Sequence, residues 1–264
     1  MHDFNYTKVG SVTDAVSTLK SSSDGRVLAG GQTLLPTMKQ RLASPSDLVD
    51  ISGVSGLSDI SNSGGVTIGA TTTHASVAGS EFVKGTIPAL SVLADGIGDP
   101  QVRNRGTIGG AIANNDPAAD YPAACLALGA TIKTDRREIL AGDFFTGLFE
   151  TALEDDEIIT AVSFPKVDKG GYAKFPNPAS RYALVGVFVA KVAGGVRVAV
   201  TGAGENGAFR ASALEQSLSS NFSASALEDV TIGADGLLSD IHASAEYRAH
   251  LVTVMAKRAV VSAG

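Results

Sequence analysis

Residues 99–120 read DPQVRNRGTIGGAIANNDPAAD, and no other stretch of the chain gathers so much chemistry in so few positions. Two arginines, Arg103 and Arg105, sit one residue apart, with Gly106, Gly109 and Gly110 close behind. A short apolar step from Ala111 to Ala113 leads to Asn114, Asn115 and Asp116, and the stretch ends on Asp120. Glycines let a backbone approach a ligand closely and adopt left-handed angles that present successive N–H groups. Arginines add positive potential, and a carboxylate accepts from a hydroxyl or an amine. Those parts suit a nucleotide pyrophosphate with its ribose; the same residues would also serve a polar surface loop rich in turn formers.

A second stretch bears on that choice. Val27-Leu28-Ala29 reads as a short buried strand, followed by Gly30-Gly31-Gln32-Thr33 and a helix start at Leu34-Leu35-Pro36-Thr37-Met38. Strand, double glycine, hydroxyl and helix start together make an anion-binding turn. Two glycine-rich loops far apart in sequence can clamp one extended dinucleotide from both sides.

Composition narrows the class. The 264 residues are 44% hydrophobic and 18% charged, which describes a soluble globular protein with a substantial core. A net charge of -6 without a basic run argues against nucleic-acid binding. The single cysteine, Cys125, excludes an internal disulfide and any four-cysteine iron–sulfur or zinc site; its run AACLALGA makes it a buried small hydrophobe. No apolar run reaches membrane-spanning length and the first residues lack a signal-peptide pattern, so the expected location is the cytoplasm.

In chain order, residues 4–9 read as an edge strand, and Ser11 caps a helix with Asp14 at the capping-box position. A strand at 27–29, a short helix through Arg41 and a strand at 48–51 complete a small α/β unit. Beyond residue 60, strands are expected at 66–69, 131–134 and 158–164, and helices at 88–97 and from Asp120 to Leu128. Residues 167–171, VDKGG, read as a linker. Three strands, 172–175, 183–192 and 196–201, then precede helical patterns at 211–218, 223–230 and 242–261.

Two features invite other readings. Gly202-Ala203-Gly204-Glu205-Asn206-Gly207 matches G-x-G-x-x-G after a strand, with Glu228 further on, yet that acid falls in a helical pattern and little chain remains for a parallel sheet. A glycine-rich turn is the better reading. His74, after Thr71-Thr72-Thr73, could be a ligand, a base or a flavin attachment point, but a hydrogen-bonded structural histidine at a helix start is favoured. No G-x-S-x-G elbow supports a hydrolase.

The segments AGGQTLLPTMKQRLASPSDLVDIS (29–52), IGATTTHASV (68–77) and IGDPQVRNRGTIGGAIANNDPAADYPAACLALGA (97–130) resemble the FAD-binding medium subunits of molybdenum hydroxylases. That is the family of the carbon monoxide dehydrogenase medium subunit and the xanthine dehydrogenase FAD subunit. The resemblance implies an α+β fold: a two-subdomain FAD-binding domain of the vanillyl-alcohol-oxidase (PCMH) type, 1–57 and 58–168. A small α+β C-terminal domain, 172–264, would follow, with a three-stranded sheet plus helices. It implies that Ala29, Gly30, Gly31, Gln32, Thr33 and Leu34 wrap the FAD pyrophosphate, with Thr107, Ile108, Gly109 and Gly110 also against phosphate. Asp120 would bind the ribose side, Ile68 and Thr72 would approach the ribityl chain and flavin edge, Lys174 would lie near the flavin, and Tyr182 would shield one flavin face.

The FAD would be non-covalent, because Gln32 stands where flavin-attaching relatives often carry a histidine. By the same resemblance the chain is an oxidoreductase subunit without catalytic residues or metal ligands of its own. It would take electrons from the 2Fe–2S clusters of a small subunit, beside a molybdopterin large subunit, in a dimer of heterotrimers. The alternatives are a stand-alone FAD-dependent oxidoreductase of the same fold and a non-catalytic assembly subunit that has lost FAD, against which the intact glycine loops argue.

Overall fold

The computed structural model describes residues 1–264. The chain begins with β1 (Asn5–Lys8), α1 (Val12–Ser21), β2 (Gly25–Leu28), α2 (Leu34–Lys39) and β3 (Asp47–Asp50). These strands form a parallel sheet in the order β1-β3-β2. Ser11 caps α1 by accepting from the Asp14 N–H, so the helix starts where the sequence places its cap. The helix lays Ala15 and Leu19 on Val49 of the central strand.

The middle of the chain holds β4 (Ile60–Asn62), β5 (Gly65–Gly69), α3 (His74–Gly79), α4 (Glu81–Thr86), α5 (Pro88–Asp95), α6 (Pro100–Arg103), α7 (Ile108–Asn114) and α8 (Asp120–Leu128). It continues with β6 (Thr131–Thr134), β7 (Glu138–Leu140), α9 (Ala141–Phe144), β8 (Phe145–Gly147), β9 (Glu150–Thr151) and β10 (Ile159–Pro165). Five of these strands make an antiparallel sheet ordered β4-β5-β10-β6-β7. Its helices bury Leu90, Leu93, Ile108, Ile112, Tyr121 and Leu128 against Val66, Ile68 and Val162. The stretch read as one long glycine loop therefore contains two helices, α6 and α7. Asp99 caps the first through the Val102 N–H and Thr107 caps the second through the Gly110 N–H.

The last sheet is antiparallel, β11 (Lys169–Pro176), β12 (Ala183–Val192), β13 (Gly195–Thr201) and the two-residue β14 (Phe209–Arg210), in that order. The three expected strands thus gain a short fourth. Helices α10 (Ser212–Ser220) and α11 (Ala245–Ser262) follow, with a 3-10 turn at Ala224–Leu227 where a helix was expected. Strand β12 is buried on both faces. Val185, Val187 and Val189 pack with α11, while Phe188 and Ala190 join the core of the central sheet. That double coverage explains its near-continuous apolar run.

The expected linker at 167–171 is corrected here: Lys169, Gly170 and Gly171 belong to β11. A Cβ on Gly171 would collide with the carbonyl of Ala259, so this glycine lets α11 lie directly on the strand instead of loosening a tether.

Candidate functional site

Strand β2 ends at Leu28 and the chain turns through Gly30 and Gly31 before α2. Gly31 holds φ +71°, a left-handed angle that favours glycine. None of the backbone N–H groups of Gly30, Gly31, Gln32, Thr33 and Leu34 finds an acceptor in the protein. Thr33, at the N-cap position of α2, makes no side-chain capping bond, so its hydroxyl is free as well. Five consecutive free amides beside a free hydroxyl form a concave donor surface suited to an anion.

The second loop lies against the first. A Cβ on Gly30 would run into the Arg105 carbonyl, so the two loops meet only because residue 30 has no side chain. The amides of this second loop, by contrast, are engaged. Ile108 N–H donates to the Thr72 carbonyl at 3.1 Å, Gly109 N–H to the Ala70 carbonyl at 2.9 Å, and Gly110 N–H to Thr107 Oγ1 at 3.2 Å. Gly106 is packed on the His74 ring and Gly109 on Ala70, which leaves no room for a Cβ at either. Gly110 is exposed, and only the Thr107 hydroxyl lies near where its Cβ would be.

Between the loops is a cavity of about 560 Å³, within the range of small-molecule and cofactor sites. Ala29, Gly30, Gly31, Gln32, Thr33, Leu34, Thr107, Gly109, Gly110, Asp120 and Tyr182 line it. Ile68, Thr72, Ile108 and Lys174 do not. Ile68 and Ile108 are fully buried in the central core, because strand alternation and the α7 register turn them inward. Thr72 offers its carbonyl to Ile108, while its buried hydroxyl is unpaired. Lys174 stands behind Asp120 on β11.

The arginines read as positive potential for the ligand are placed elsewhere. Arg103 donates to the carbonyls of Ile97 and Gly98 and faces Asp95 at 3.6 Å, bracing its own loop. Neither it nor the exposed Arg105 lines the cavity; Arg181, from the turn before β12, does. The lining also holds Asp116 of the central stretch, together with Tyr121 and Glu157, which no motif singles out. The helix start at Asp120 points to Tyr121, but nothing in the local pattern around 157 marks Glu157.

Asp120, at the first position of α8, is 5% exposed. Burial pushes its carboxyl up from the ordinary value, against the opposing pull of Lys174 and Tyr172. His74 is 4% exposed and its Nδ1 has no partner, so the expected hydrogen-bonded histidine is corrected at that atom. Burial, and then the Arg103 charge, lower its pKa to about 4, so the ring facing the cavity is neutral. Cys125 is buried, with its thiol pushed up by burial.

The G-x-G-x-x-G stretch closes the antiparallel hairpin between β13 and β14, and the Gly202 N–H donates to the Pro117 carbonyl at 2.8 Å. It is a turn packed on the central part of the chain. No group of three or more His, Cys, Asp or Glu side chains is placed to hold a metal ion, and no helix is long and apolar enough to cross a membrane.

Comparison with known proteins agrees with this geometry. A family model described as the FAD binding domain in molybdopterin dehydrogenase matches residues 2–167. The nicotine 6-hydroxylase medium subunit of Paenarthrobacter nicotinovorans is 37% identical, over 98% of this chain and 96% of its own length. Among solved structures, the reconstituted CO dehydrogenase from Oligotropha carboxidovorans superposes with a TM-score of 0.90 at 33% identity, covering 99% of this chain and 98% of that one. Quinoline 2-oxidoreductase from Pseudomonas putida 86 gives 0.88 at 31% identity, covering 99% and 97%.

Proposed function

This chain belongs to the family of FAD-binding domains in molybdopterin dehydrogenases, and on that premise we propose how it holds FAD as the electron-transfer subunit of a molybdenum hydroxylase complex. The observation that carries the proposal is the run of five unpaired amides at residues 30–34, opening on a cavity of cofactor size. These amides and the Thr33 hydroxyl hold the pyrophosphate. Thr107 and Gly110 form the opposite wall, where a bare glycine leaves the phosphates room. Asp120 accepts from the ribose side of the cofactor. Tyr182, at the cavity edge and 43% exposed, covers one face of the ring.

When bound, FAD supplies the reversible redox chemistry, while the protein binds, orients and shields it. The chain takes electrons from 2Fe–2S clusters of one partner subunit and passes them to an external acceptor; the hydroxylation belongs to a molybdopterin subunit. We divide the chain into residues 1–57 and 58–168, which enclose the cofactor, and a C-terminal domain from 172 to 264. The assembly is a dimer of heterotrimers in the cytoplasm. FAD is held without a covalent bond, with Gln32 in the first loop where flavin-attaching relatives often carry a histidine.

The test is co-purification and anaerobic flavin bleaching. The chain should bring down an iron–sulfur and a molybdopterin subunit, and an organic substrate should bleach the flavin only in that complex. Acid precipitation should release the yellow chromophore into the supernatant. An isolated chain that oxidises an organic substrate at an ordinary enzymatic rate overturns the electron-transfer reading.

A further inference from the structure

The FAD-side carboxylate is gripped by side chains from a distant part of the chain. Tyr172 and Lys174 lie two residues apart on β11, hence on one face of the C-terminal sheet, and both reach Asp120 at the start of α8. The Tyr172 hydroxyl donates to Asp120 Oδ1 at 2.5 Å, and Lys174 Nζ lies 2.9 Å from the same oxygen. No other residue donates to Oδ2, and Asp120 lines the cavity. Lys174 is itself anchored by donating to the Gly96 carbonyl at 2.8 Å.

The space for the Tyr172 hydroxyl is reserved. On the neighbouring strand, a Cβ at Gly186 would sit 2.6 Å from that oxygen. Tyr172 also packs on Phe188, with ring centroids 6.0 Å apart, which fixes the ring from the side. A buried hydroxyl in a locked ring, aimed at one carboxylate oxygen, sets the rotation of that carboxylate.

We infer that Tyr172 is a positioning residue for the cofactor: with Lys174 it pins Asp120 Oδ1 so that Oδ2 is presented to the cavity, and FAD affinity is therefore set in part by a strand outside the cofactor-binding loops. The inference rests on the assignment of Asp120 to the cofactor. It makes docking of the C-terminal sheet and binding of FAD mutually reinforcing, because each orders the same carboxylate.

A double-mutant cycle on the full-length, FAD-depleted chain tests it. FAD affinity is read from quenching of flavin fluorescence, and fold from thermal unfolding without FAD. Tyr172→Phe should weaken FAD about tenfold, the scale of one hydrogen bond to a charged group, with the FAD-free chain still folding cooperatively. Asp120→Asn should weaken it at least as much. Tyr172→Phe should then add little on the Asp120→Asn background, since the two side chains act through one contact. Native affinity in Asp120→Asn overturns the assignment of Asp120. A weakened Asp120→Asn beside a native Tyr172→Phe overturns the positioning role alone. Fully additive losses overturn it too, because they mean Tyr172 acts through general stability.

Discussion

Replacing Gly30 with alanine is the sharpest probe of how the two loops make the site. The added Cβ would stand 2.0 Å from the Arg105 carbonyl oxygen and 2.9 Å from Gly106 Cα, closer than the 3.0 Å that real Cβ atoms keep. Both neighbours are backbone, so no side chain can rotate away and the loops must part by about 1 Å, a strain of about 1–3 kcal/mol by analogy with overpacked cores. That shift draws the amides of residues 30–34 off the pyrophosphate. Losing two charge-assisted hydrogen bonds at about 1.5 kcal/mol each weakens FAD on the order of 100-fold. The assay is titration of the FAD-depleted chain, with Gly142→Ala as control, where an added Cβ meets nothing within 4 Å. A Gly30→Ala chain with native affinity and native thermal stability refutes the claim that the loops touch at this glycine.

Two further outcomes follow from single residues. Gly110→Asp should abolish FAD binding while the FAD-free chain keeps its stability. The carboxylate opposes phosphate by about 4 kcal/mol per charge pair at 4 Å, yet an acid in the first turn suits α7; near-normal occupancy would contradict the loop assignment. His74, with a folded pKa of about 4 against 6.5 unfolded, stays neutral in the fold while the unfolded chain takes up a proton. Stability should therefore be full above pH 6.5 and fall by about 3 kcal/mol toward pH 4. Urea unfolding at several pH values checks this, and an acid-side slope unchanged in His74→Gln would count against it.

Much of this fold was legible locally. Ser11 followed by Asp14, Pro88 at the first position of α5, and Asp120 with Pro122 in the first turn of α8 each mark a start by backbone chemistry alone, and the helices begin there. What was not legible depended on distant partners. The glycines of 106–110 depress helix propensity and suggest a loop, yet α7 is helical because Thr107 caps it and Ile108 and Ile112 are buried. Gly170 and Gly171 look like a linker until α11 is set on them. Arg103 looks like a phosphate ligand until its own loop carbonyls are seen to claim it.

The same distinction governs the site itself. A glycine in a motif has two physical uses, to expose an amide to a ligand or to let another backbone approach, and sequence spacing records both identically. Here the uses separate by loop. Residues 30–34 keep their amides free, whereas Ile108 and Gly109 spend theirs on the carbonyls of Thr72 and Ala70, binding the second loop to the end of β5. The second motif therefore builds a wall and the first supplies the donors. Asp120 completes the enclosure, yet its orientation comes from Tyr172 and Lys174, which follow it by half a hundred residues in the chain. No window of sequence around any one motif contains the contact that aims it, and so the motifs announce a dinucleotide site without disclosing which of their residues do the holding.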